Sequence, residues 1–137
     1  MNDVAPILYK DWENAAWPSA AAVAAPSPPI DLVHLARQSL GDQDLERELL
    51  AMFQQQAARL VGQMAAARGD DFKLRTALAH TLKGSALAVG ANRVAEAAAQ
   101  VEAASAEGSG QVALAASLSS LAGAVSEARE AIARLLA

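Results

Sequence analysis

Apolar residues recur every three or four positions through most of the chain from residue 31 onward. This spacing places them along one side of an α-helix, and no segment of useful length alternates with the period of two that a half-buried strand requires. Hydrophobic residues make up 53% of the sequence but aromatic residues only 4%, so the apolar content is mainly alanine, with leucine and valine. Alanine has the highest helix propensity. The pattern therefore predicts an all-α domain.

Cap and turn residues divide this pattern into five predicted helices. Asp31 can cap a short first helix that stops near Gly41, and an aspartate at 42 or 44 begins a long second helix. Gly90 supplies a usual stop for the third helix, and Gly108-Ser109-Gly110 is a predicted turn before the fifth. The predicted spans are about 32–40, 42–68, 71–89, 91–107 and 111–137.

Four long amphipathic helices with short connections predict an up-down-up-down four-helix bundle, with the short first helix covering one end. Each long helix contributes one apolar stripe to the expected core. The stripes are Leu45, Leu49, Phe53, Gln56, Leu60, Met64 and Ala67 on the second helix; Leu74, Leu78, Leu82, Ser85, Ala86 and Val89 on the third; Val94, Ala97, Ala98, Val101 and Ala104 on the fourth; and Leu114, Leu118, Leu121, Val125, Ala128, Ile132 and Leu135 on the fifth.

The first 29 residues differ in composition from the rest of the chain. They hold all five prolines, both tryptophans and the single tyrosine, and they end in a proline-rich run that cannot be helix interior. The predicted domains are therefore a flexible N-terminal tail over 1–29 and a bundle over 30–137. Two interpretations of the tail remain open: a leader without structure, or a docking element built on Tyr9, Trp12 and Trp17.

Charge and composition exclude several functions. The net charge of −4, the pI near 5.1 and the scattered basic residues argue against nucleic acid as a partner. The absence of cysteine excludes disulfides, thiol catalysis and thiolate zinc sites. No apolar run reaches the roughly 18 residues that would span a membrane. The alanine-rich run at 20–25 lacks the basic flank of a signal peptide. We expect a cytoplasmic monomer.

One stretch of the third predicted helix suggests chemistry rather than packing. It reads Ala79-His80-Thr81-Leu82-Lys83-Gly84-Ser85. On a helical wheel of about 100° per residue, His80 falls nearly opposite the apolar stripe. Thr76, Lys83, Gly84 and Leu87 fall beside it. The histidine is therefore predicted to stand on the solvent face of a helix that its other face anchors in the bundle.

This combination suits a nucleophile that meets another macromolecule. A neutral imidazole has one free nitrogen with which to attack. Lys83 lies one turn away and can reach an anion held at His80. A glycine inside a helix, such as Gly84, lowers helix stability by about 1 kcal/mol relative to alanine. A steric reason for its presence is therefore favoured, namely the close approach of another macromolecule to His80. Leu87 would provide an apolar contact for that partner.

Other catalytic and ligand-binding patterns are missing from the sequence. It has no HExxH motif, no serine–histidine–aspartate set and no glycine-rich loop with a lysine that could hold ATP. Two isolated histidines make a poor metal site. His34 has no nucleophile near it on its short helix, and we interpret it as structural.

The stretch from Ala79 to Ser85, followed by Gly90-Ala91, resembles the signature of the histidine-containing phosphotransfer (HPt) domain, and the resemblance covers about residues 31–137. Such domains are helical bundles that carry a phosphoryl group between aspartates of receiver domains in multistep phosphorelays. The resemblance implies that His80 is the phosphorylated residue and that Lys83 assists the transfer. It also implies that Gly84 leaves room for the receiver domain.

The partners implied by this resemblance are receiver domains of response regulators or of hybrid histidine kinases. We expect Thr76, Gly84 and Leu87 to contact them. The chain would be a phosphocarrier rather than an enzyme, without a cofactor of its own, and any Mg²⁺ would belong to the receiver domain. The alternative is a non-catalytic helical adaptor or inhibitor that binds a receiver domain or kinase through the same surface. Such an adaptor has no need of the imidazole, so His80 with Lys83 favours the phosphocarrier.

Overall fold

The computed structural model describes residues 28–67, 71–106 and 110–137, and within these ranges all regular secondary structure is helical. This confirms the all-α class and the five predicted helices. The predicted tail, with Tyr9, Trp12 and Trp17, and most of the predicted turn at 108–110 lie outside the described residues. The helices are α1 Leu32–Gln38, α2 Gln43–Ala66, α3 Phe72–Val89, α4 Asn92–Ala104 and α5 Gln111–Leu136.

Aspartate side chains begin the first three helices. Each carboxylate accepts a hydrogen bond from the backbone N–H three residues further on, which satisfies one of the unpaired donors of a helix start. The start of α2 thus uses the aspartate at 42 rather than the one at 44. The three pairs are Asp31 with His34 at 3.1 Å, Asp42 with Leu45 at 3.1 Å and Asp71 with Leu74 at 3.2 Å.

The four long helices form a closed ring in which α3 packs against α2 and α4, while α5 packs against the same two helices from the other side. This is the predicted four-helix bundle. Alanines without exposed surface, such as Ala57, Ala79, Ala98 and Ala128, let the helices approach closely at the centre. Larger side chains, among them Leu82, fill the remaining space.

Three predicted core leucines are exposed, and these predictions were wrong. Leu45 and Leu74 lie in the first turns of α2 and α3, and Leu135 lies in the last turn of α5; their exposed fractions are 38%, 45% and 40%. At these ends of the bundle the neighbouring helices offer too little surface to cover a side chain. On α2 the predicted core residues Phe53, Leu60 and Met64 are buried. Leu49 and Gln56 are only half-buried, and the residues that follow them, Leu50 and Ala57, are buried instead.

The short helix α1 is fixed to the end of α3, the helix that carries His80. The N–H of Asp31 donates to the carbonyl of Gly90 at 2.8 Å. Ile30 and Leu35 are buried on either side of this contact. Gly90 has a φ of 80°, the left-handed conformation that ends α3 and that favours glycine. The end of α3 and the start of α1 therefore hold each other in place.

Gly90→Ala should lower the free energy of unfolding by about 2 kcal/mol, since a left-handed backbone costs a residue with a Cβ about 1–2 kcal/mol. The added Cβ would also lie 2.8 Å from the carbonyl oxygen of Asp31 and 3.2 Å from its Cβ. Urea unfolding followed by circular dichroism measures the change. Gly84→Ala is the matched control, because an added Cβ there meets nothing within 4 Å. A Gly90→Ala variant as stable as the original chain would contradict the role given to this junction.

Candidate functional site

His80 stands on the solvent face of α3, where the wheel placed it. Its side chain is 70% exposed. The residue before it, Ala79, and the residue two after it, Leu82, have no exposed surface and pack in the core. The imidazole is therefore accessible to another macromolecule, while the backbone that carries it is held in place by the bundle.

Glu102 of α4 joins His80 to Lys83. Its Oε2 lies 3.2 Å from Nδ1 of His80, and its Oε1 lies 2.8 Å from Nζ of Lys83. The carboxylate side chain is only 22% exposed and that of Lys83 is 31% exposed. These two contacts hold the ring and the ammonium on the same side of the α3–α4 pair.

The charge of Glu102 decides which ring nitrogen of His80 carries the proton. The hydrogen bond from the Lys83 ammonium, with a smaller contribution from His80, lowers the pKa of Glu102 below its ordinary value of 4.5, against a partial opposing effect of burial. An ionised carboxylate can only accept hydrogen bonds. The Nδ1 that contacts it must therefore carry the proton, and in the neutral ring Nε2 then holds the free lone pair.

The remaining residues predicted for the site lie on both sides of His80. Gly84, one turn towards the C-terminus, is exposed with open space around it, and Leu87 is 50% exposed beyond it. Thr76, one turn towards the N-terminus, is half-buried. Thr76 lines an open groove between α3 and α4 together with Phe72, Lys73, Ala77, His80, Thr81 and Glu102.

Sequence reasoning missed Glu102, and it did not place Lys73 and Phe72 in the groove beside His80. Glu102 follows His80 by 22 positions and belongs to another helix. A wheel drawn for one helix cannot show which residue of its neighbour faces it. The available signal was a carboxylate between Val101 and Ala103, beside the apolar stripe of α4, which identifies a polar position but no partner.

His34 does not take part in the site. It lies half-buried on α1, and its Nε2 has no hydrogen-bond partner among the described residues. Within the described ranges, no three histidine, aspartate or glutamate side chains come together in a way that could hold a metal ion. No described helix is both long and apolar enough to cross a membrane.

The fold and the site together define a helical bundle that presents one histidine to solvent from the middle of a helix. The family model described as the Hpt domain matches residues 48–137. The chain therefore belongs to the Hpt family, whose members take part in histidine phosphotransfer within phosphorelays.

A solved structure supports the fold. It is the X-ray structure of a rice protein assigned as a histidine-containing phosphotransfer protein, with a TM-score of 0.69 and 22% sequence identity. The similarity covers 79% of this chain and 79% of the rice chain. At this identity the comparison establishes the architecture only. A search of curated proteins gives no match.

Proposed function

We propose that this protein is a phosphocarrier of a multistep phosphorelay, which accepts a phosphoryl group on Nε2 of His80 from a receiver-domain aspartate and passes it to another. The observation that carries the proposal is the exposed imidazole of His80, whose Nδ1 is hydrogen-bonded to the ionised carboxylate of Glu102. This arrangement leaves the nucleophilic nitrogen directed away from the carboxylate. Membership of the Hpt family supports phosphotransfer in general.

The proposed step is an in-line displacement at phosphorus. The lone pair of Nε2 forms the N–P bond while the P–O bond to the partner's aspartate breaks and returns its electron pair to that carboxylate. The ring becomes an imidazolium that keeps its proton on Nδ1, and the negative charge of Glu102 stabilises it. In the return step the same bonds change in reverse order. The chain contributes position and charge.

Lys83 supplies the positive charge closest to the transferred group. Its ammonium is 2.8 Å from Glu102 and is therefore held one turn from His80 before any partner arrives. An ammonium has three donors, so Lys83 can keep its bond to Glu102 and still offer a donor to a phosphoryl oxygen. We propose that it offsets the charge of the phosphoryl group during transfer. Mg²⁺ is expected on the partner, and this chain needs no cofactor of its own in the proposed step.

Glu102→Gln should slow phosphoryl transfer by about tenfold to a hundredfold, the loss that follows when the carboxylate that orients a metal-binding histidine is removed. The amide of glutamine can donate to Nδ1 as well as accept from it, so the ring loses its fixed tautomer, and Lys83 loses its counter-charge. Single-turnover transfer measures the rate, and ¹⁵N NMR of the imidazole measures the tautomer. Glu96→Gln, an exposed position on the same helix, is the control. An unchanged rate with an unchanged tautomer would contradict this role.

The pH range of that measurement follows from the lowered pKa of Glu102. A carboxyl whose pKa is lower in the folded state contributes stability above its ordinary pKa of 4.5 and loses it as the pH falls through the lowered value. Between about pH 6 and 8 the carboxylate is therefore ionised throughout. Changes of rate with pH in that range therefore do not report on the titration of Glu102.

The test of the proposed function is direct transfer from a receiver domain. Each receiver domain of the host is first labelled with radioactive phosphate and separated from the phosphoryl donor. It is then mixed with the full chain. We expect at least one to pass label to this protein, in a form that is labile in acid and stable in base, as expected for a phosphoramidate. Binding without label would instead favour the adaptor or inhibitor. The monomeric state and the cytoplasmic location stay predictions from the sequence.

A further inference from the structure

Positive charge is concentrated around α3 in an otherwise acidic protein. Between residues 72 and 95 the sequence contains four basic residues and no aspartate or glutamate, although the whole chain has a net charge of −4. The four are Lys73, Arg75, Lys83 and Arg93. Those basic side chains that stay unpaired at the surface would attract negatively charged partners to that part of the molecule.

Three of these four cations are already engaged or buried. Lys83 pairs with Glu102 at 2.8 Å, and Arg93 pairs with Glu127 of α5 at 2.9 Å. Arg75 is only 2% exposed. Lys73, by contrast, is exposed and forms no ion pair with any residue in the described ranges.

Lys73 shares its groove with His80. It lies two helical turns before the histidine on the same face of α3, which corresponds to about 10 Å along the helix. Between the two lie the half-buried Thr76 and the methyl group of Ala77, and Phe72 lines the groove at its far end. The groove thus offers apolar contact from Phe72 and Ala77 and an exposed cation at one end.

We propose that this groove, with Lys73 at its end, is an electrostatic docking site for the acidic surface that surrounds the reactive aspartate of the partner receiver domain. The proposal rests on the proposed function. A domain that binds Mg²⁺ beside an aspartate must place further carboxylates there, because Mg²⁺ is held by oxygen ligands. Such a surface, centred on His80, meets Lys83 towards the C-terminus of α3 and Lys73 towards its N-terminus.

Lys73 should act on the rate of encounter rather than on the chemical step. Lys73 lies two turns, about 10 Å along the helix, from His80, so its main effect should be to attract an acidic surface before contact. Salt screens such attraction over about 10 Å at 0.1 M ionic strength. The contribution of Lys73 should therefore be large at low salt and vanish at high salt.

The test measures association by stopped flow between the full chain and every receiver domain of the host, in a His80→Gln background that cannot accept phosphate. We expect Lys73→Glu to lower the association rate constant about tenfold at low ionic strength and less than about twofold near 0.5 M salt. Lys73→Gln changes the charge by half as much, so it should lower the association rate constant about threefold at low ionic strength. Arg59→Glu, the same charge change at an exposed position on α2, should have little effect. In the chain with His80 intact, the first-order transfer rate in the saturated complex should not change.

Each outcome decides the proposal. Equal losses for Lys73→Glu and Arg59→Glu would show that net charge alone matters and would overturn it. A loss that persists at high salt, or a slower transfer step within the complex, would overturn it as well. Receiver domains that bind through Lys73 but transfer no phosphate to the chain with His80 intact would support this docking site and refute the proposed phosphotransfer. If no receiver domain binds the chain, the docking site is refuted.

Discussion

Replacing His80 with glutamine should abolish phosphoryl transfer to this protein and leave the bundle folded. The imidazole is the proposed nucleophile, and glutamine has no lone pair on nitrogen that can attack phosphorus at neutral pH. The side chain is 70% exposed, so its replacement removes no core packing. The contact with Glu102 is a surface ion pair at most, worth little to stability. We expect loss of all label with unchanged helicity and an unchanged unfolding midpoint.

His34→Gln provides the matched control, since the chain has two histidines. His34 lies on α1 and has no contact with the site, so this variant should take up label at the original rate. Receiver domains that bind the original chain should also bind the His80→Gln variant, because the surrounding surface is intact. Label on the His80→Gln variant would show that another residue accepts the phosphoryl group. That result would refute the site and leave the fold unaffected.

The sequence predicted the helices well because its signals are local. An aspartate at the start and a glycine at the end of α3 act on neighbouring backbone groups, and the observed span Phe72–Val89 differs by one residue from the prediction. The exposure of His80 followed in the same way, because the position of a residue on one helix depends only on its spacing from the apolar stripe. Local rules therefore located the imidazole, Lys83 and Gly84 relative to one another.

The errors concern contacts between helices. Arg75 is 2% exposed although the wheel gave no reason to bury an arginine, and Leu74 beside it is exposed although its type predicted burial. Which of two adjacent residues is covered depends on how far the neighbouring helix extends. Glu102 was missed for the same reason, since its role depends on the register of α4 against α3. Single-helix periodicity contains no information on that register.

Gly84→Lys should strongly weaken docking of the receiver domain while the bundle stays at least as stable as before. A Cβ added at Gly84 meets nothing within 4 Å, so the fold does not require a glycine there. Lysine in fact favours the helix over glycine by close to 1 kcal/mol. The new side chain would lie one turn from the imidazole, where the partner must come close for in-line transfer. We expect affinity to fall about 100-fold, which corresponds to about 3 kcal/mol.

The sign of the added charge makes this variant informative. An extra lysine beside His80 should attract an acidic partner, so loss of binding can only reflect the volume of the side chain. Gly123→Lys is the matched control, because Gly123 is also exposed inside a helix, on α5, with open space around its Cβ position. It should dock and accept phosphate normally. Gly84→Ala should weaken docking less than Gly84→Lys, since it adds a single methyl group. Normal docking by Gly84→Lys, measured by titration calorimetry with the receiver domain, would show that the partner does not approach over this turn of α3.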